Sequence, residues 1–153
     1  MTTHIEFNAP TATRFSSKTA ARWATTAARI VLGLVFFAAG LTWFLNLVPP
    51  PSGPMSDGAM AFAGGMMKSG YMFPLIKGTE VVVGALLLSN RFVPLAIAVI
   101  APVVVNIVAF HAFLAPEGVA VPIVILVLEL CLAWSYRSAY RSMLGARTAT
   151  RAA

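Results

Sequence analysis

The chain has 153 residues, of which 59% are hydrophobic and only 10% are charged, and its mean hydropathy is +0.83. Soluble domains carry about 25% charged residues, so this composition excludes an ordinary soluble domain and indicates an integral membrane protein. The net charge of +6 comes from basic residues that flank the apolar segments, which favours a lipid bilayer as partner and argues against nucleic acid. A single cysteine, with no Cys/His cluster, predicts no disulfide, zinc site or iron–sulfur centre.

The N-terminal part of the chain divides into a polar tail and a first apolar span. Residues 1–26 are polar and basic, and we expect them to form a cytoplasmic tail. The apolar run that follows predicts a membrane span at about 28–48, which is too long for a signal-peptide core. Gly33 and Gly40, seven residues apart, share a helix face and predict the close approach of another helix.

The first loop combines helix-stopping prolines with a methionine-rich segment. Ser56 or Asp57 is placed to cap a short helix that ends near Gly70. The apolar residues of this segment predict a helix lying in the outer interface of the membrane as a partial lid. Its methionines lack the spacing and the supporting histidine of a copper site, which favours packing against lipid.

Three more spans follow, and the distribution of basic residues orients them. Their predicted bounds are about 74–90, 92–114 and 119–136, which gives an all-α integral membrane four-helix bundle at 27–136 and a basic cytoplasmic tail at 137–153. Nine of the 11 Lys and Arg residues precede the first apolar run, follow the last one or lie in the turn between spans two and three. The positive-inside rule therefore predicts a multi-pass protein with both termini in the cytoplasm.

Several strongly polar groups interrupt the predicted spans. Counted at 1.5 Å per residue from the outer ends of their helices, Lys77 lies at roughly 5 Å, His111 at roughly 8 Å and Glu80 at roughly 9 Å, so these three side chains share a shallow layer. Asn106 and Glu129 lie deeper, at about 15 and 16 Å. The inner half of spans two and three has no such group, which predicts a polar cavity open to the outside.

The shallow polar groups also have a purely structural explanation. Lys77 and Glu80 form an i, i+3 ion pair in which the lysine reaches the lipid headgroups. His111 is a histidine whose hydrogen bonds are satisfied at the membrane interface. Glu129 is harder to explain in this way, because a carboxylate near the bilayer centre costs about 2.5 kcal/mol or more and usually faces the bundle interior with a partner. Asn106 is the partner that its depth suggests.

The ordered segments resemble the DoxX family of small bacterial membrane proteins. The resemblance rests on "GYMFPLIKGTE" in span two, "PVVVN" in span three and "ELCLAW" in span four, and it covers about residues 27–144. It implies a four-helix bundle in the bacterial inner membrane and a family-like polar set of Lys77, Glu80, Asn106, His111 and Glu129. Proteins that this chain looks like include membrane subunits of thiosulfate:quinone oxidoreductase, but no catalytic residue is carried over.

Three functions are consistent with these features. The first is a quinone-linked or redox-accessory membrane subunit, with quinone as candidate ligand, no intrinsic cofactor or metal, and a partner protein that supplies electrons. The second is a non-catalytic structural or assembly subunit whose buried polar groups fix helix register. The third, a small-molecule transporter, is weaker because no inverted repeat or continuous polar path is evident.

Overall fold

The computed structural model describes residues 17–47 and 55–141, all of whose regular structure is helical. Residues 1–16 of the predicted N-terminal tail, residues 142–153 of the predicted C-terminal tail and the proline-rich start of the first loop, at 48–54, lie outside the described residues. The helices are α1 (Ser17–Phe44), α2 (Asp57–Lys68), α3 (Met72–Leu88), α4 (Val93–Phe113), α5 (Ala120–Ser135) and α6 (Arg137–Tyr140), with a 3₁₀ turn at Pro116–Gly118 between α4 and α5. The first helix thus begins inside the segment predicted to be a tail.

Four of these helices form a closed bundle. Helix α1 packs against α3 and α5, and α4 packs against the same two helices from the other side. Buried side chains from all four meet along the axis, among them Phe36, Leu87, Ile100 and Leu132. Many other large apolar side chains are exposed, as expected for helices whose outer surface faces lipid.

Two of the described helices are long and apolar enough to cross a membrane alone, Thr19–Phe44 with 26 residues and Val93–Phe113 with 21. The apolar pair formed by Asp57–Lys68 and Met72–Leu88 is bent by 87°, and counts as a third span if it is read as one broken helix. Helix α5, with 16 residues, is shorter than the roughly 20 needed for a perpendicular span. The predicted all-α membrane class is confirmed, while length and composition alone identify two or three spans instead of four.

The predicted close approach at Gly33 and Gly40 is confirmed, and it occurs between α1 and α3. A Cβ added at Gly40 would lie 2.6 Å from the carbonyl oxygen of Lys77, and one at Gly33 would lie 2.9 Å from Leu88. Gly84 on α3 makes the reciprocal contact, since its Cβ would lie 2.5 Å from the backbone nitrogen of Phe37. Backbone therefore packs directly on backbone along this interface.

Asparagine residues with a left-handed backbone end two of the helices. Asn46 after α1 and Asn90 after α3 have φ values of 54° and 57°, in the left-handed region that commonly closes a helix. The amide that follows each asparagine bonds back to a carbonyl five residues earlier, from Leu47 to Thr42 and from Arg91 to Leu86. These turns end α1 and reverse the chain between α3 and α4.

Helix α2 lies across one end of the bundle, as a short helix in the first loop was predicted to do. Its N-cap is Ser56, whose hydroxyl accepts a hydrogen bond from the Ala59 amide and donates one of 2.7 Å to the Leu114 carbonyl. The rings of Phe62 and Phe110 pack 5.7 Å apart. We call this region, made of α2, the start of α3 and the end of α4, the α2 end.

The opposite end holds the start of α1, the turn between α3 and α4, and the end of α5 with α6. We call it the basic end, because it carries five arginines: Arg22, Arg29, Arg91, Arg137 and Arg141. Arg29 donates to the carbonyl oxygens of Leu87 and Leu88 at the end of α3. A cation at a helix C-terminus both satisfies free carbonyls and opposes the helix dipole.

Candidate functional site

A cavity of about 400 Å³ lies between α2, α3 and α4 at the α2 end. Its walls are mostly apolar, and α2 and α3 contribute aromatic and methionine side chains that include Phe62, Met66, Met72 and Phe73. Helix α4 forms the facing wall from Pro102 to His111. A concave, largely apolar site of this size with a few polar groups is typical of a small-molecule pocket.

Four of the five polar residues singled out in the sequence line this cavity: Lys77, Glu80, Asn106 and His111. Lys77 and Glu80 lie on one face of α3 because they are three residues apart. Asn106 and His111 are five apart on α4, yet both border the cavity, as does Pro102 within the same helix. Their proposed role in ligand binding stays a prediction.

Lys77 and Glu80 form a two-point ion pair. The Lys77 Nζ lies 3.0 Å from Oε1 and 2.8 Å from Oε2 of Glu80. The glutamate side chain is only 3% exposed, whereas the lysine side chain is 21% exposed. An ammonium group has three donors, so the lysine retains one N–H after it has satisfied both carboxylate oxygens.

The imidazole of His111 is held against its own helix and the following turn. Its Nδ1 lies 2.8 Å from the carbonyl oxygen of Ile107, which can only accept, so Nδ1 carries the proton and Nε2 of the neutral ring is the acceptor. Gly118 leaves room for the ring, because a Cβ there would lie 2.8 Å from Cδ2. His111 thus offers an acceptor to a ligand hydroxyl.

Asn106 supplies an amide to the same space. The residue is exposed on α4 and lines both the main cavity and a neighbouring cavity of about 230 Å³ beside Phe62 and Phe110. A side-chain amide both donates and accepts hydrogen bonds, so it suits a carbonyl as well as a hydroxyl. The cavity therefore combines donors from Lys77 and Asn106 with an acceptor from His111.

Glu129 is separated from the other four residues. It is buried, at 4% exposure, but it does not line the cavity, and within residues 17–47 and 55–141 its Oε1 has no hydrogen-bond partner. Glu129 lies near Tyr140, towards the basic end. Burial of the Tyr140 hydroxyl, together with the nearby Glu129 carboxylate, raises the pKa of that hydroxyl. That hydroxyl donates a 2.8 Å hydrogen bond to the Pro94 carbonyl.

The apolar lining was not part of the sequence prediction. Phe62, Ala63 and Met66 come from α2, and they meet α4 only because Ser56 and the bend after Lys68 fold α2 across the bundle. The sequence signal for this wall was the run of methionine and phenylalanine in the first loop. Among the described residues, no group of three or more His, Cys, Asp or Glu is placed to hold a metal ion.

Comparison with protein-family models gives a match to DoxX over residues 24–113, more than half of the chain. The chain therefore belongs to the DoxX family, as its motifs suggested, and is a membrane protein built on apolar helices. The matched segment contains the four cavity residues, whereas Glu129 lies beyond it. Comparisons with curated proteins and with solved structures gave no match.

Proposed function

We propose that this DoxX-family protein is a quinone-linked or redox-accessory subunit of a membrane oxidoreductase. The observation that carries the proposal is the cavity at the α2 end, where Lys77, Glu80, Asn106 and His111 border about 400 Å³ of mostly apolar space. A quinone matches this character, since it has a flat ring with two polar oxygens and an apolar tail. The tail would leave between α3 and α4.

The four polar groups have distinct roles in this proposal. In the oxidised state, the free N–H of Lys77 and the Asn106 amide donate to the quinone carbonyls. In the reduced state, His111 Nε2 accepts from a quinol hydroxyl. Glu80, buried beneath Lys77, is the candidate proton carrier beside the ring. A bound quinone would accept or donate electrons and protons, and a partner protein would supply the electrons.

The same proposal includes the setting of the protein. We place it in the bacterial inner membrane as a multi-pass protein with the basic end and both termini in the cytoplasm, so that the cavity opens outwards. Five arginines at the basic end support this orientation. A cysteine-accessibility assay on a Cys131→Ala background tests it: a new cysteine at Arg91 should be labelled only from the cytoplasmic side, and one at Glu117 only from outside.

Extraction of the purified protein, with detection of quinones by mass spectrometry, tests the ligand. We expect wild type and the control Glu117→Gln, a charge-matched change in the exposed 3₁₀ turn, to retain quinone. Asn106→Leu keeps the ion pair and the side-chain size, and the double variant Glu80→Gln with His111→Ala removes two polar groups. Both should lose the quinone while they remain monodisperse, and quinone retained in both variants would contradict the proposal.

One observation favours a structural or assembly role instead. Lys77 and Glu80 satisfy each other, and the Lys77 carbonyl packs on Gly40 of α1, so the pair contributes to helix packing without a ligand. This role is supported if wild type holds no quinone, even after incubation with a short-chain quinone, and the Glu80→Gln, His111→Ala variant unfolds more easily. The polar groups would then stabilise helix packing. Activity would then belong to the partner.

A further inference from the structure

A second cavity lies at the basic end, far along the bundle from the proposed quinone site. It is a cleft of about 510 Å³ between the first turns of α1 and the junction of α5 with α6. Its lining is more polar than that of the cavity at the α2 end, with Arg22, Thr25 and Thr26 on one side and Trp134, Ser135 and Arg137 on the other.

Contacts between the two walls give the cleft a defined shape. The Thr25 and Ser135 hydroxyl oxygens lie 3.1 Å apart and join α1 to α5, and the Ser135 hydroxyl donates to the Cys131 carbonyl at 2.9 Å. Arg137 is held over the Trp134 ring, with its guanidinium carbon 5.1 Å from the ring centroid and its Nη1 bonded to the Trp134 carbonyl. A guanidinium has five N–H donors, so most of the Arg137 donors remain for other groups.

The electrostatic surroundings favour an anion. Of the acidic residues in the described part of the chain, Asp57 and Glu117 lie at the α2 end and Glu80 is paired with Lys77. Glu129 lies towards the basic end, but it is buried and does not line the cleft. The five arginines of the basic end therefore set a positive potential around the cleft, and an anion entering it meets guanidinium groups from both walls.

We propose that this cleft binds the phosphate of an anionic phospholipid headgroup. Guanidinium groups match phosphate oxygens in a two-point geometry, and basic pockets between membrane helices are sites for anionic headgroups. Trp134 is 71% exposed beside the cleft, at the position typical of a membrane interface. Exposed apolar side chains deeper on α1 and α5, such as Leu34 and Leu130, offer a surface for the acyl chains.

Native mass spectrometry of the purified full-length protein in detergent tests the site. The protein is incubated with phosphatidylglycerol, with phosphatidylcholine, or with inorganic phosphate as the soluble source of the same chemistry. The test variant is Arg22→Gln with Arg137→Gln, and the control is Arg91→Gln, which removes an arginine from the same end outside the cleft. Neither variant changes a residue that lines the cavity at the α2 end, so a negative result here can be distinguished from a negative result in the quinone test.

We expect wild type and the control to bind one phosphatidylglycerol in preference to phosphatidylcholine, and the double variant to bind it roughly tenfold more weakly. If inorganic phosphate binds instead and the same variant loses it, the phosphate site stands and its ligand is soluble. Equal binding by the double variant and the control would overturn the proposal, because it would show attraction to a basic surface without a site. Equal binding of the two lipids by wild type would overturn it as well.

Discussion

The two ends of the bundle use charged side chains in opposite ways. At the α2 end, Lys77 and Glu80 point into an apolar cavity and neutralise each other beneath α2. At the basic end, Arg29 bonds the end of α3, and Arg22 and Arg137 border an open cleft where no carboxylate of residues 17–47 and 55–141 pairs with them. The first arrangement suits a neutral ligand that is bound inside the protein, and the second suits an anion at the membrane surface.

The contact between α1 and α3 supports both ends, so breaking it should have the largest effect. In Gly84→Ala the new methyl group would lie 2.5 Å from the Phe37 nitrogen and 2.7 Å from its Cα, and backbone atoms cannot move aside as a flexible side chain does. We expect a loss of about 3 kcal/mol in the free energy of unfolding, measured by denaturant titration in detergent.

Gly78→Ala on the same helix is the control for that experiment. Apart from the local backbone of α3, no atom of the described residues lies within 4 Å of a Cβ at this position, so the higher helix propensity of alanine should leave stability unchanged or raise it by up to about 1 kcal/mol. Equal destabilisation by the two substitutions would contradict the assignment of direct backbone packing to Gly84.

Breaking the ion pair should have the next largest effect, confined to the α2 end. Glu80→Gln leaves the Lys77 ammonium without its carboxylate, and we expect a loss of about 2 kcal/mol, because the lysine is partly exposed and recovers some solvation. Adding Lys77→Met should restore part of the loss. The control is Glu117→Gln, expected within about 0.5 kcal/mol of wild type, and equal effects of the two glutamine variants would refute the role of the pair.

At the basic end, the corresponding test changes Arg29, which hydrogen-bonds to the end of α3. Arg29→Gln removes the charged donor to the Leu87 and Leu88 carbonyls, and we expect about 1.5 kcal/mol of destabilisation with faster amide exchange at the end of α3. Arg91→Gln removes the same charge from the exposed turn next to it and should change little. If both arginine variants behave alike, general charge at this end matters more than the bond.

The sequence was sufficient to predict the helical class, the close approach at Gly33 and Gly40, and the short helix in the first loop. These features depend on local patterns: apolar length, small residues at helical spacing, and a serine cap before a helix-forming segment. The bounds of α1 were harder to predict, because residues from Ser17 onwards are polar and helical at once.

Depth along the helices predicted that Lys77, Glu80 and His111 lie near one another, and it did not predict that Asn106 joins them while Glu129 lies elsewhere. Counting at 1.5 Å per residue gives a height, but it gives neither the rotation of a helix nor the tilt between two helices. Asn106 and Glu129 have similar heights, yet one borders the cavity and the other is buried near Tyr140. The apolar wall from α2 depends on a bend of 87°, which no local pattern specifies.

Releasing α2 should affect the cavity more than the bundle. Ser56→Ala removes the N-cap of α2 and the bond to the Leu114 carbonyl, for an expected loss of about 1 kcal/mol. Hydrogen exchange should rise in α2 and stay unchanged at the basic end, and quinone retention should fall. The control is Ser89→Ala, which removes a serine from the turn after α3. Unchanged exchange in α2 would show that Ser56 does not hold it in place.

The smallest expected effect concerns the backbone of the turn at the basic end. Phe92 precedes α4 with a φ of 51°, a left-handed conformation that a phenylalanine adopts only at a cost, and its side chain is 65% exposed. Phe92→Gly and Phe92→Ala remove the same ring, so the difference between the two variants isolates the backbone. The glycine variant should be more stable than the alanine variant by up to about 1 kcal/mol, because glycine adopts positive φ without strain.

An alanine variant as stable as the glycine variant, or more stable, would mean that the turn relaxes to negative φ once the ring is gone. In that case the phenylalanine ring, and not the chain reversal itself, would hold Phe92 at positive φ. A side chain would then fix the backbone at this end, as the Ser56 side chain does for α2 at the other end.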